Sequence, residues 1–186
     1  MQVTEQRVPG VLLIEPKVFG DARGYFKETF SAQRYADAGV VGTFVQDNVS
    51  KSARGILRGL HLQHPQGQGK LVSVTRGAVY DVAVDVRQGS PHFGQWVGVE
   101  LSEDNHRQLW IPPGFAHGFC VTSEEAVFAY KCTEYYAPDR ELGVLWNDPG
   151  LGIDWPVTEP LLSDKDRVYP CLKDIPAAQL PAYEAP

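Results

Sequence analysis

The chain has few basic residues, few cysteines and no long apolar run. Its 17 Lys and Arg are outnumbered by 23 Asp and Glu, leaving a formal charge of -6. Binding to a phosphate backbone wants a basic face. The balance therefore argues against nucleic acid as a partner, but not against one small anion held by a local Arg and Lys cluster. Cys120, Cys132 and Cys171 contain no CxxC pair. So sparse and odd a set makes neither a disulfide framework nor a zinc knuckle, and it reads as incidental thiols in a reducing compartment. No segment approaches the ~20 apolar residues that span a bilayer. The opening MQVTEQRVPGVLLIEPKVFGD lacks a basic region followed by a long apolar one. The expectation is a cytoplasmic protein with no membrane partner.

What is present points to strands. The 186 residues are 43% hydrophobic, which suits one domain over 1–186 with a sizeable core. Gly and Pro are plentiful, at 18 and 14, and fall between short apolar runs, the pattern of an all-β chain. Two strands separated by the turn FGDARG are expected near the N-terminus. SAQRYADAG reads as a short helix with Ser31 as N-cap and Gly39 as its stop. In AVYDVAVDVR, Tyr80, Val82, Val84 and Val86 alternate with Asp81, Ala83 and Asp85. Period two puts the apolar set on one face and the carboxylates on the other. AVFAYKCTEYY is expected to close the strand series. From Pro149 the chain reads as loops and short helices packed on the barrel. Turn signals recur at the spacing of a sandwich or jelly roll.

The chemistry concentrates in RGLHLQHPQGQGKLV. His61 and His64 are three apart, whereas a strand puts residues two apart on one face. The position two beyond His61 is Gln63, so a metal pair of His-x-His type is not formed. PPGFAHGF matches Pro-x-Gly-x-x-His, the second signature of cupin jelly rolls. With the first half of the metal set broken, that resemblance implies a cupin barrel without its metal. His117 would then face the same cavity as His61. Lys70 is either a solvated edge residue or, if turned inward, a fixed charge suited to a developing oxyanion. Tyr130 reads as core or catalyst, and Asp166, in LLSDKDR, as an exposed polar loop. Arg23 and Arg58 are anion clamps or surface residues.

GDARGYFKETF, FVQDN, LRGLHLQ, GKLVSVTRGAVYDVAVDVR, WIPPGFAHGF, YKCTEYY, WNDP and LLSDKD follow one another across nearly the whole chain. In this order they resemble the dTDP-4-dehydrorhamnose 3,5-epimerase family of nucleotide-sugar cupins. The resemblance implies an all-β, cupin-type jelly-roll barrel with a few short helices, mainly near the C-terminus. It implies a homodimer, no metal and no cofactor, and a dTDP-4-keto-6-deoxyhexose substrate epimerised beside its ketone. It gives His61 the role of base, with Asp166 orienting its imidazole. Lys70, helped by His117, would stabilise the enolate oxygen, and Tyr130 would return a proton on the opposite face. Arg23 and Arg58 would hold the diphosphate. Glu28, Gln46, Asp47 and Asn48 would meet the nucleoside end, with Phe26 against the base. Glu141 and Lys165 fall on further substrate contacts, and some contacts could come from a neighbouring subunit.

Val49 stands where the family commonly has His, and Leu62 where an aromatic is common. Both are expected to bear on pocket shape, and so on whether C3, C5 or both are inverted. Three other readings stay open. One is a restricted 3- or 5-epimerase of an antibiotic deoxysugar pathway. Another is a cupin that binds sugar nucleotides without turnover. The last is a metal-dependent cupin, which activity after exhaustive chelation would remove.

Overall fold

The computed structural model describes residues 1–184; residues 185 and 186 of the expected 1–186 domain lie outside them. In chain order the elements are β1 (Gln2–Glu5), β2 (Leu12–Glu15), β3 (Val18–Asp21), β4 (Gly24–Lys27), α1 (Ala32–Asp37), β5 (Gln46–Ala53) and β6 (Leu57–Gln63). There follow β7 (Lys70–Arg76), β8 (Ala78–Asp85), β9 (Trp96–Ser102), β10 (Gln108–Ile111), β11 (Phe115–Val121), β12 (Glu125–Cys132) and β13 (Glu141–Gly143). One sheet runs β1-β2-β10-β7-β12-β5 and the other β13-β6-β11-β8-β9, while β3 and β4 form a separate hairpin. The strand pairings are antiparallel. Two such sheets with interleaved connections make a double-sheet jelly roll.

Alternation decides which residues face which layer. On β8, Val79 and Ala83 enter the core between the sheets, with Leu101, Leu109, Phe119 and Phe128. Tyr80, Val82 and Val84 face the other way. They pack under the C-terminal segment with Leu151, Trp155, Leu172 and Ile175. Both faces of this strand are therefore covered, and Asp81 and Asp85 are fully buried. The carboxylate face of the period-two pattern is the inside of the barrel. Phe128, 1% exposed, stacks on Phe119 with centroids 4.1 Å apart; deleting such a ring from a core costs about 3–5 kcal/mol.

Several expectations need correction. The turn after β3 is tighter than FGDARG, since only Ala22 and Arg23 lie between the paired strands. β12 does not end the series, because β13 follows and pairs with β6. The short helices expected near the C-terminus are seen only in part, as 3-10 turns. Helix α1 lies in the first quarter of the chain and ends at Gly39, whose φ of +94° a residue with a side chain resists. The C-terminal segment has single 3-10 turns at Leu172–Asp174 and Ala177–Gln179 and no α-helix among the described residues. Prolines at 149, 156, 160, 170, 176 and 181 account for this, since each removes a donor and stops a helix.

Candidate active site

A cavity of about 460 Å³ opens between the two sheets, within the size range of small-molecule sites. His61 and His117 reach it from neighbouring strands of one sheet, as direct partners in the β6–β11 pairing. Lys70 and Tyr130 reach it from β7 and β12 of the facing sheet. Phe119 and Phe128 belong both to the inner core and to the cavity wall, so they divide dry core from site.

Arg58 also lines this cavity. In a regular strand it would face away from His61, three residues on. The β6–β11 register explains the exception: His117 pairs with His61 and Phe119 with Arg58. Three steps on β6 thus match two on β11, and the extra residue is a bulge that re-aims a side chain. Two glycines let the backbones meet there. A Cβ on Gly59 would lie 2.5 Å from Gly118 Cα, and one on Gly118 would lie 2.7 Å from the Arg58 carbonyl oxygen. Arg58 Nε donates to Ser52 Oγ at 3.0 Å, which orients the guanidinium.

Two imidazoles are backed by carboxylates. His61 Nε2 lies 2.6 Å from Asp166 Oδ1, and His117 Nε2 lies 2.9 Å from Asp81 Oδ2. A neutral imidazole facing a carboxylate carries its proton on that nitrogen, which leaves the other basic. Asp166 is 2% exposed, not the exposed loop residue its sequence suggests. Burial alone would raise its carboxyl. The His61 hydrogen bond, with lesser help from Ser163 and Lys165, outweighs burial and holds it below the ordinary carboxylate range.

The facing sheet supplies the opposite chemistry. Lys70 Nζ has no hydrogen bond or ion pair among the described residues, and the surface the side chain keeps is cavity surface. Burial pushes its pKa down, while Cys132, Asp81 and Glu141 pull it partly back. Burial raises the Tyr130 hydroxyl above its usual value, so it stays protonated. A lysine with no ion-pair partner among the described residues and a protonated phenol thus confront two imidazoles.

A second space of about 280 Å³ shares His61, Lys70 and Tyr130 and extends past Gln46, Asn48, Gln68, Tyr136 and Glu141. Glu141 accepts hydrogen bonds from Tyr136 and Tyr169 and pairs with Lys165, which lines the first cavity. Asp47 does not join Gln46 and Asn48. It projects from the other face of β5 and pairs with Lys131. Val49 shares that outward face and is 71% exposed, so it shapes neither space. Leu62 packs mainly into the outer core and touches the rim of the second space.

Three predicted residues lie elsewhere. Arg23, Phe26 and Glu28 sit on or beside the β3–β4 hairpin and line separate spaces, none of them shared with His61 or Lys70. Arg23 pairs with Asp21, Glu28 pairs with Arg34, and Phe26 is 69% exposed. His64, at the turn, lines neither space. Sequence reasoning missed Asp81 and Tyr169 as site residues. An inward phase for the Asp81–Asp85 alternation could have flagged Asp81; no pattern marks Tyr169. Among the described residues, no cluster of three or more His, Cys, Asp or Glu is placed to hold a metal ion. No helix among the described residues is long and apolar enough to cross a membrane.

Residues 5–174 match the family model described as dTDP-4-dehydrorhamnose 3,5-epimerase. A dTDP-4-dehydrorhamnose 3,5-epimerase of Pseudomonas aeruginosa is 58% identical over 169 residues, covering 90% of this chain and 93% of that protein. A crystal structure of the dTDP-6-deoxy-D-glucose-3,5-epimerase of Legionella pneumophila, in complex with dTDP-4-keto-L-rhamnose, superposes with a TM-score of 0.96. It is 54% identical, with 99% of each chain covered. A dTDP-4-dehydrorhamnose 3-epimerase of Streptomyces niveus is 40% identical over 186 residues, covering 98% of this chain and 90% of that protein.

Proposed function

The chain belongs to the dTDP-4-dehydrorhamnose 3,5-epimerase family, and we propose that it inverts C3 and C5 of dTDP-4-dehydro-6-deoxyglucose to give dTDP-4-dehydrorhamnose. The observation that carries this reading is the division of the cavity between two sheets, with His61 and Asp166 on one side and Lys70 and Tyr130 on the other. Inversion at a carbon needs proton removal on one face and return on the other, and the two walls offer one group for each.

In this reading His61 takes the proton from the carbon beside the ketone while Asp166 supports the imidazolium. The C–H electron pair moves into a C=C bond and the carbonyl pair onto oxygen. Lys70 stabilises that enolate, with His117, held by Asp81, beside it. Tyr130 donates its proton to the opposite face, and the enzyme resets when the imidazolium gives its proton to solvent and the phenolate takes one from it. The ketone itself acidifies the neighbouring C–H, so the scheme uses no cofactor. Arg58, whose terminal nitrogens have no partner among the described residues, suits a diphosphate. Gln46 and Asn48 would meet the nucleoside end, and Glu141 and Lys165 would contact substrate between them. Arg23, Phe26 and Glu28 would serve the cavity of a second copy, which makes the working unit a homodimer. The domain would span 1–186 and act in the cytoplasm.

The test is NMR of dTDP-4-keto-6-deoxyglucose with the protein in deuterated buffer. Deuterium should enter at both C3 and C5. His61→Ala should abolish exchange while leaving thymidine diphosphate binding intact, and Tyr130→Phe should slow product formation more than exchange. Full exchange without His61 would show that the base is another group. The identity to a 3-epimerase supports a second reading, single inversion, which deuterium at C3 alone would establish. No exchange with nucleotide still bound would leave a binding protein.

A further inference from the structure

We propose that Tyr169 is a positioning residue, holding the His61 imidazole in the plane that proton transfer requires and tying it to the Glu141 cluster. The proposal rests on the reading of His61 as the base. A hydrogen bond to Asp166 fixes one ring nitrogen, but the last torsion of a histidine is broad, so one bond leaves the ring free to tilt. Tyr169 supplies the second constraint. Its ring meets that of His61 edge-on, with centroids 5.8 Å apart and planes at 72°, a favourable aromatic geometry. Asp166 lies three residues earlier on the same segment, so one loop grips the imidazole at two points.

The strand beneath is shaped for this ring. Gly143 is the β13 partner of His61, and a Cβ at position 143 would lie 2.3 Å from carbons of the Tyr169 ring. The missing side chain leaves a slot beside the base. The hydroxyl then donates to Glu141 Oε1 at 3.0 Å. Burial first, and Glu141 second, keep that hydroxyl protonated well above its usual range, so it remains a donor. Glu141 also receives Tyr136 and Lys165, which line the two spaces. Groups that would touch bound substrate are thereby linked, through one carboxylate and one phenol, to the orientation of the base.

The test uses the full chain and two readouts. One is the low-field imidazole N–H proton resonance of the His61–Asp166 bond, identified by its loss in Asp166→Asn. The other is solvent-deuterium exchange, resolved into kcat and KM. Tyr169→Leu should broaden the resonance and lower kcat about tenfold or more, with KM held within about twofold. Tyr169→Phe, which keeps the ring, should retain the resonance and lose only a few-fold in kcat. A leucine variant with wild-type resonance and kcat would overturn the proposal. If that variant fails to fold, Gly143→Ala takes its place, because the added methyl displaces the ring; retention of both readouts there would be equally fatal. Absence of exchange in the wild type would remove the epimerase reading, while the resonance would still report whether Tyr169 holds His61.

Discussion

Lys70 shows what a functional charge asks of a small barrel. Burial lowers its pKa below the ordinary lysine value, whereas in the unfolded chain it titrates near ~10.4. Between those two points the unfolded chain binds more protons than the folded one, so the contribution of Lys70 to stability rises with pH across that window. Lys70→Met should therefore raise the melting temperature while cutting deuterium exchange by about 10²–10³. The alkaline limb of exchange should lie below the ordinary lysine pKa, and Lys70→Arg should move it upward, because a guanidinium does not deprotonate. Calorimetry and a pH profile check both. A lower melting temperature for Lys70→Met would mean that its stem packs more than its charge costs. At this scale the sequence was partly readable. His61, His117 and Lys70 fall in recognisable motifs. Asp166 does not, because its burial comes from a segment that folds back across the barrel. Asp81 hides because alternation alone does not say which face is dry.

At the scale of strands, the site depends on the β6–β11 bulge. Alternation sends Arg58 and His61 to opposite faces, and only pairing with a second strand reverses this, so no local pattern announces it. Gly118→Ala would place a methyl 2.7 Å from the Arg58 carbonyl oxygen and 3.0 Å from Gly59 Cα. The strands would have to part or the bulge move. We expect a loss of about 1–3 kcal/mol in urea unfolding. We also expect a rise in KM, as Arg58 leaves the cavity, that exceeds the fall in kcat. An unchanged KM would detach Arg58 from binding. The β3–β4 hairpin, β8 and β12 were legible as strands, and α1 and its glycine stop were legible too, whereas β1 and β5 gave no pattern that singled them out. The three-residue β13 was not legible either, since it is too short to show a period. In the C-terminal segment the expected short helices are single 3-10 turns, because its prolines stop anything longer.

At the scale of the whole molecule, the β3–β4 hairpin is the part that one chain does not explain. It carries Arg23 and Phe26 into solvent, with Phe19 and Tyr25 also 53% and 57% exposed. If it serves a partner cavity, mixing Arg23→Ala with His61→Ala should restore activity that neither variant has alone, since each hybrid dimer would then hold one complete site. Mixed dimers, verified by mass, that stay as inactive as their parents would place the hairpin on its own chain's cavity. Such a division of labour has no signature in a single sequence. The placement of the proposed base and acid on different sheets has a further consequence. A sandwich core is about 10 Å thick, and side chains that serve only as filling set that thickness. The barrel is then a caliper, with the proton-taking group on one jaw and the proton-giving group on the other. A change of one methylene at Val72 or Ala126 would reset the gap without touching a polar residue. It would be read as a new ratio of deuterium incorporated to product formed. Stereochemical outcome becomes a property of the packing, and a lineage could drift from two inverted centres to one by repacking its interior alone.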